Sequence, residues 1–249
     1  MIQRSAIDPG ACAGQATAVQ TTTAQELLAD AVRHGREKVY TPGEEIAHAV
    51  IHGVGAVLAI AGLTVLVAYA TRYGDSWHIV SSAIFGSTLV LMYTASTLYH
   101  GIPLPRARRV LRIIDHSMIY FLIAGSYTPF TLVTLNGAWG WILFGITWGL
   151  ALAGVVFKVF ATGRFRKLSL TIYLGMGWCV IVAIRPLIET LATGGLLLLF
   201  IGGLCYTGGV AFYVRERLRY HHAIWHVFVL AGSTFHYFAV LFYVIPGAP

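Results

Sequence analysis

The chain has 249 residues, of which 57% are hydrophobic and 11% charged, and its mean hydropathy is +0.72. A soluble domain carries about 25% charged residues, so the composition excludes an ordinary soluble domain and indicates an integral membrane protein with little mass outside the bilayer. The net charge of +7 falls in short basic blocks between apolar runs, with no aromatic-interleaved basic surface of the size a nucleic-acid module needs, so nucleic acid is excluded as a partner.

Residues 1–41 are polar and rich in small side chains, without the apolar core of a secretory signal. Within them "ACAGQATAVQTTTAQ" reads as a disordered tail. "AQELLADAVRHGREKVY" reads as an amphipathic helix on the membrane surface or as a short solvated linker. Residues 42–249 form the second unit. A helix needs about 20 apolar residues to cross a bilayer, and seven runs qualify, at 46–70, 77–99, 113–134, 139–160, 168–188, 195–214 and 223–245. The breaks "TRYGDS", "GIPLPRARR", "NGAWG", "ATGRFRK", "ETLATGG" and "RERLRYHH" each contain Gly, Pro or charge. Short connections make neighbouring helices antiparallel. The expected fold is therefore all-α, a seven-transmembrane helix bundle in the cell membrane. Cys12, Cys179 and Cys205 form neither a CxxC pair nor an even framework, so no disulfide scaffold or thiolate zinc site is expected.

Basic residues set the orientation. Arg4, Arg33, Arg36 and Lys38 precede the first span, and Arg106, Arg108, Arg109 and Arg112 lie between the second and third. Lys158, Arg164, Arg166 and Lys167 surround the 4–5 connection, and Arg215, Arg217 and Arg219 fill the 6–7 connection. Seven spans put all of these on one side and only Arg72 and Arg185 on the other, so the N-terminus is expected in the cytoplasm and the C-terminus outside.

Ionisable groups gather at that same end of four spans. His100 closes the second, Asp115 opens the third, His222 and His226 open the seventh, and Glu45, His48 and His52 open the first. An aspartate at a helix centre costs about 2.5–3.5 kcal/mol on insertion scales and less near an end. Their common depth is therefore more informative than any one of them. His222 and His226 are i, i+4, so they share a helix face and can bind one zinc. Ser96 lies one turn deeper than His100, and Glu45, His48 and His52 make one polar stripe. With His100 the pair would complete a three-histidine zinc site with an open fourth position, the catalytic pattern. Asp115 would hold a water there and act as its base, since zinc lowers the pKa of such a water to about 7. Plainer readings exist for each part. An isolated HxxxH in a membrane helix is explained by an interhelical hydrogen bond, and Asp115 could simply pair with Arg112. His116 and His221 read as interfacial neighbours. His236 lies ten residues beyond His226, roughly 15 Å deeper at 1.5 Å per residue, too far to share a metal.

The segments "EEIAHAVIHGVGAVLAIAGL", "STLYHGI", "RVLRIIDHSMIYFLIAGSYTPF", "GGLLLLFIGGLCYTGGVAFY" and "HHAIWHVFVLAGSTFHYFAV" resemble the hemolysin III family, the bacterial branch of the progestin and adipoQ receptor superfamily. The resemblance runs from about residue 42 to the end. It implies that His100, His222 and His226 bind zinc, that Asp115 reaches the metal through water and that Ser96 lies beside the site. Glu45 matches a glutamate opening the first span, but His48 stands where the family has an asparagine. There it could add a ligand or merely replace the hydrogen bond of the amide; the second is expected, with Glu45, His48 and His52 supporting the site from outside the ligand set.

Three functions remain open on sequence. The superfamily is similar to alkaline ceramidases, which implies a zinc-dependent hydrolase cutting a lipid amide, with Asp115 as base, Ser96 placing the water or an oxyanion and a membrane lipid as substrate. The alternatives are a sensor or receptor with structural zinc, and the cytolysin that the family name suggests. Very short outer loops weigh against a receptor, and the absence of a separable pore segment against a cytolysin.

Overall fold

The computed structural model describes residues 40–162 and 165–246. The tail and surface helix expected before residue 40 lie outside them. Among the described residues all regular structure is helical, and seven helical stretches are long and apolar enough to cross a membrane.

The helix starts are set by local chemistry. Helix α1 (Pro42–Tyr73) begins with a capping box: the Glu44 amide donates to Thr41 Oγ1 at 3.3 Å, and the Thr41 amide donates to Glu44 Oε2 at 2.9 Å. Pro42 holds the first helical position, where no N–H is needed. Helix α2 (Ser76–Gly101) starts on Asp75, whose Oδ1 accepts from the Trp77 and His78 amides. The His78 ring, 2.7 Å from that oxygen, holds the Asp75 carboxyl below its usual range. "GIPLP" ends α2, and Pro105 starts α3 (Pro105–Pro129). Pro129 carries no N–H for the helix ladder, and one π turn, Phe130–Thr134, follows it. Thr131 Oγ1 donates to the Tyr127 and Thr128 carbonyls, both at 3.1 Å, and so occupies acceptors near the irregularity.

Helix α4 (Ala138–Ala161) is regular. The fifth span, expected as one helix over 168–188, is broken: α5 (Arg166–Trp178) passes through a 3₁₀ turn (Cys179–Ala183) into α6 (Ile184–Thr190). One phenol bridges the break. Tyr127 Oη donates to the Gly177 carbonyl at 2.7 Å and accepts from the Val180 amide at 3.0 Å. Irregular backbone inside a membrane survives only where protein satisfies its polar groups, and Tyr127 does that here. Helix α7 (Thr193–Tyr213) leads through a tight turn to α8 (His221–Tyr243). Tyr220 adopts a left-handed φ of 57° just before α8, and its amide donates to Glu44 Oε1 at 3.2 Å. The carboxylate that caps α1 therefore also fixes where α8 begins.

Helix α1 packs on α2 and α8, α7 on α8, α2 on α3, and α3 on α4. The main core gathers Leu66, Phe85, Leu89, Met92, Tyr93, Leu122, Val229 and Val240. Close helix approach depends on small residues: a Cβ at Gly86 of α2 would lie 2.9 Å from Leu63 Cβ of α1. The outer face is apolar, with Ile46, Val57, Leu152 and Val182 all exposed, as a lipid-facing surface requires. The packing places α1 between the two helices, α2 and α8, that carry the histidines of interest.

Candidate metal centre

Each of these helices contributes polar groups at one end of the bundle. His100 lies in the last turn of α2, while His222 and His226 occupy the first two turns of α8. One ring nitrogen from each of the three lies within 4.8 Å of the others. His100 Nε2 and His226 Nε2 are 3.3 Å apart. Two nitrogens held at about 2.0–2.1 Å by one tetrahedral zinc are separated by about 3.3–3.4 Å. The same gap is long for an N–H···N hydrogen bond.

The tautomer of His100 follows from its other nitrogen. His100 Nδ1 is 2.7 Å from Glu45 Oε2. An ionised carboxylate only accepts, so Nδ1 carries the proton and Nε2 offers its lone pair. This is the carboxylate–histidine arrangement that orients metal ligands. Glu45 is held in turn by Arg108, whose guanidinium bonds Oε1. Arg108 also lies over the Tyr99 ring, 5.1 Å from its centroid.

Orphaned polar atoms test whether an ion fits. Buried polar groups in proteins are almost always hydrogen-bonded. Here the Nδ1 atoms of His222 and His226, both ring nitrogens of His48 and of His52, Ser96 Oγ and Asp115 Oδ1 are buried without a hydrogen bond. One ring nitrogen each of His100, His222 and His226 converges, and histidine nitrogens suit a zinc-type cation. The residues present therefore fit the metal that the sequence implies.

The remaining expected residues take defined places. Asp115 is buried in α3, and its Oδ2 is 3.2 Å from His116 Nδ1. His52 is fully buried one turn below His48. Its ring centroid is 3.7 Å from that of His226 and 5.1 Å from that of Tyr93. His48 does not take the hydrogen-bonding role expected of an amide replacement. Its Nδ1 is 3.6 Å from Glu45 Oε2, beyond hydrogen-bond reach. His236 is far down α8, with Nε2 3.2 Å from the Leu199 carbonyl, and takes no part.

Several neighbours were not singled out by sequence. His116, expected at the interface, faces Asp115 instead, and His221, also expected there, is buried. Tyr40 lies over the cluster from just outside α1, with its ring centroid 4.8 Å from His48 and 5.3 Å from His222. Burial raises its phenol above the usual range. Arg108 carried only topological meaning in the sequence. Its link to Glu45 crosses 63 positions, and no spacing rule reports such a pair.

Residues 40–237 match the model of a family described as haemolysin-III related. A hemolysin-3 homolog of Bacillus subtilis is 49% identical over 207 residues, which is 83% of this chain and 97% of that protein. Hemolysin-3 of Bacillus cereus is 48% identical over 205 residues, 82% of this chain and 94% of that protein. The human monocyte to macrophage differentiation factor is 28% identical over 178 residues, 68% of this chain and 73% of that protein.

Proposed function

This chain belongs to the haemolysin-III related family, and from that membership and its converging histidines we propose that it is a multi-pass membrane hydrolase that uses zinc to cleave a lipid amide. The convergence of His100, His222 and His226 within 4.8 Å carries the reading. Zinc bound by these three would polarise a carbonyl and make water nucleophilic near neutral pH. Asp115 Oδ1, buried and unpartnered, takes the proton of the attacking water and passes it to the leaving amine nitrogen. The Ser96 hydroxyl, one turn below His100, steadies the water or the carbonyl oxygen. Glu45 and Arg108 hold the His100 ring in place.

A lipid is favoured by what lies beneath the centre. A mostly apolar cavity is lined by Met92, Ile119 and Val229, which sit one turn deeper than Ser96, Asp115 and His226. It reaches His236, which also lines a second cavity with Phe130 and Leu199. An apolar cavity of this kind suits an acyl chain. From the grouping of basic residues we infer that this end faces the cytoplasm. A second reading, a sensor whose zinc is structural, is favoured by one observation: His48 crowds the side that three ligands leave open.

Metal analysis of the purified protein, followed by incubation with a panel of N-acyl lipids, tests the reading. Wild type is expected to hold one zinc and release fatty acid, while His100→Ala, His222→Ala and His226→Ala lose both. Stoichiometric metal in all three variants would refute the centre. A zinc-loaded, folded protein that turns over no N-acyl lipid would favour the sensor. Lysis of red cells without lipid cleavage would favour the property named in the Bacillus relatives.

A further inference from the structure

His48 has no work in that reading, yet it occupies an expensive position. It is fully buried, and neither ring nitrogen makes a hydrogen bond. An orphaned buried polar group is destabilising unless something else satisfies it. The helix that carries it, α1, is packed against both α2 and α8, so its ring stands among the three histidines.

The ring geometry is specific. The centroid of His48 is 4.6 Å from His100, 4.8 Å from His222 and 5.5 Å from His226. The other three centroids are 5.3, 5.2 and 4.4 Å apart, for His100–His222, His100–His226 and His222–His226. The four ring centroids thus lie near the corners of a tetrahedron, while the donor nitrogens grouped within 4.8 Å are those of His100, His222 and His226, with His48 turned toward Glu45. With metal–nitrogen bonds of about 2.0–2.1 Å, a tetrahedron of four imidazoles has its ring centres about 5.2 Å apart. An asparagine, which the family resemblance places at this position, has no ring to supply the fourth corner.

A second convergence shows where His48 rests when it is not engaged. Glu45, His48 and His100 also bring one donor atom each within 4.8 Å. This is a poor second metal site, because His100 Nδ1 and Glu45 Oε2 already share a proton at 2.7 Å. It is a good place for a disengaged imidazole, with His48 Nδ1 3.6 Å from the same carboxylate.

We propose that His48 is an exchangeable fourth imidazole ligand of the metal, particular to chains with histidine at this position. Turned to the metal, it closes the coordination and keeps solvent off the centre. Turned to Glu45, it leaves the fourth position to substrate. The proposal rests on the three-histidine centre and deepens it: the hydrolase would be latent at rest, and the histidine would be the latch.

X-ray absorption at the zinc edge of the full-length protein, which counts imidazoles around the ion, is the test. Wild type is expected to show four, and His48→Asn three at unchanged metal stoichiometry. In cobalt-substituted protein, azide should shift the visible spectrum of His48→Asn strongly and that of wild type weakly. Three imidazoles in both proteins, with equal azide responses, would overturn the proposal and leave the centre standing. Zinc retained in full by the double variant His48→Asn/His226→Ala, which keeps only two of the imidazoles, would overturn the centre itself, a failure read on a different variant. His48→Gln serves in place of His48→Asn should the latter not elute as a folded protein, and the same outcomes apply to it.

Discussion

Two regions of the bundle bury polar groups in opposite ways. Around the break between α5 and α6, side chains satisfy one another. Tyr127 bridges Gly177 and Val180, Trp148 donates to Thr128 at 3.1 Å, and Trp178 donates to Thr207 at 3.0 Å. At the histidine end, His52, Ser96, Asp115, His222 and His226 each bury a polar atom with no hydrogen bond. Both regions belong to the same bundle, so the difference is one of purpose. The first repairs an irregular backbone and is complete without anything added. The second leaves buried ring nitrogens and oxygens without hydrogen-bond partners, the state that the proposed ion would complete.

Removing that ion should produce the largest effect. Chelation of zinc-loaded protein is expected to lower its unfolding temperature, and zinc should restore it. A ligand at 1,000 times its dissociation constant stabilises by about 4 kcal/mol. His226→Ala should unfold at one temperature with or without chelator. An equal chelator response from this variant and wild type would break the contrast between the two regions.

Next in size is Glu45. Glu45→Ala frees His100 to rotate and take the wrong tautomer. Loss of such an outer partner costs about 10–100-fold in metal affinity, which competition against a chromophoric chelator measures. Arg108→Ala should move affinity in the same direction by less, because a partly exposed ion pair is worth about 1 kcal/mol or below. Affinity unchanged in Glu45→Ala would mean that the carboxylate orients nothing.

The smallest effect belongs to the other region. Tyr127→Phe deletes both bonds of the bridging phenol. Side-chain hydrogen bonds inside membranes average about 0.6 kcal/mol and reach about 1.7, so a loss of about 1–2 kcal/mol is expected in reversible unfolding. Zinc content should not change. A loss of metal from Tyr127→Phe would show that the two regions are coupled and sharpen the comparison into a single network.

Seven spans were legible because a bilayer imposes its thickness on apolar runs, and the observed helices overlap each expected one. Their polar first turns were harder to see: α1 begins at Pro42 rather than near residue 46, since the Thr41–Glu44 capping box carries the helix out past the apolar run. The break in the fifth span was not legible either. The phenol that bridges it, Tyr127, lies 50 positions away on α3. At the candidate centre, i, i+4 spacing places His222 and His226 on one face of α8. It does not say that α1 would lie between α2 and α8, and so it gave no hint that His48 would stand among the other rings. Periodicity determines which residues share a face, while tertiary packing determines which faces meet.

The link from Tyr220 to Glu44 has a consequence for biosynthesis. It joins residues 176 positions apart, at the start of the first span and just before the last. The corner where they meet also holds His222 and His226. A ribosome must therefore deliver the seventh span before the histidines can assemble, however early the first six are inserted. Metal loading would be the closing event of biogenesis, and a chain cut short before α8 would reach the bilayer with most of its helices and nothing to hold an ion.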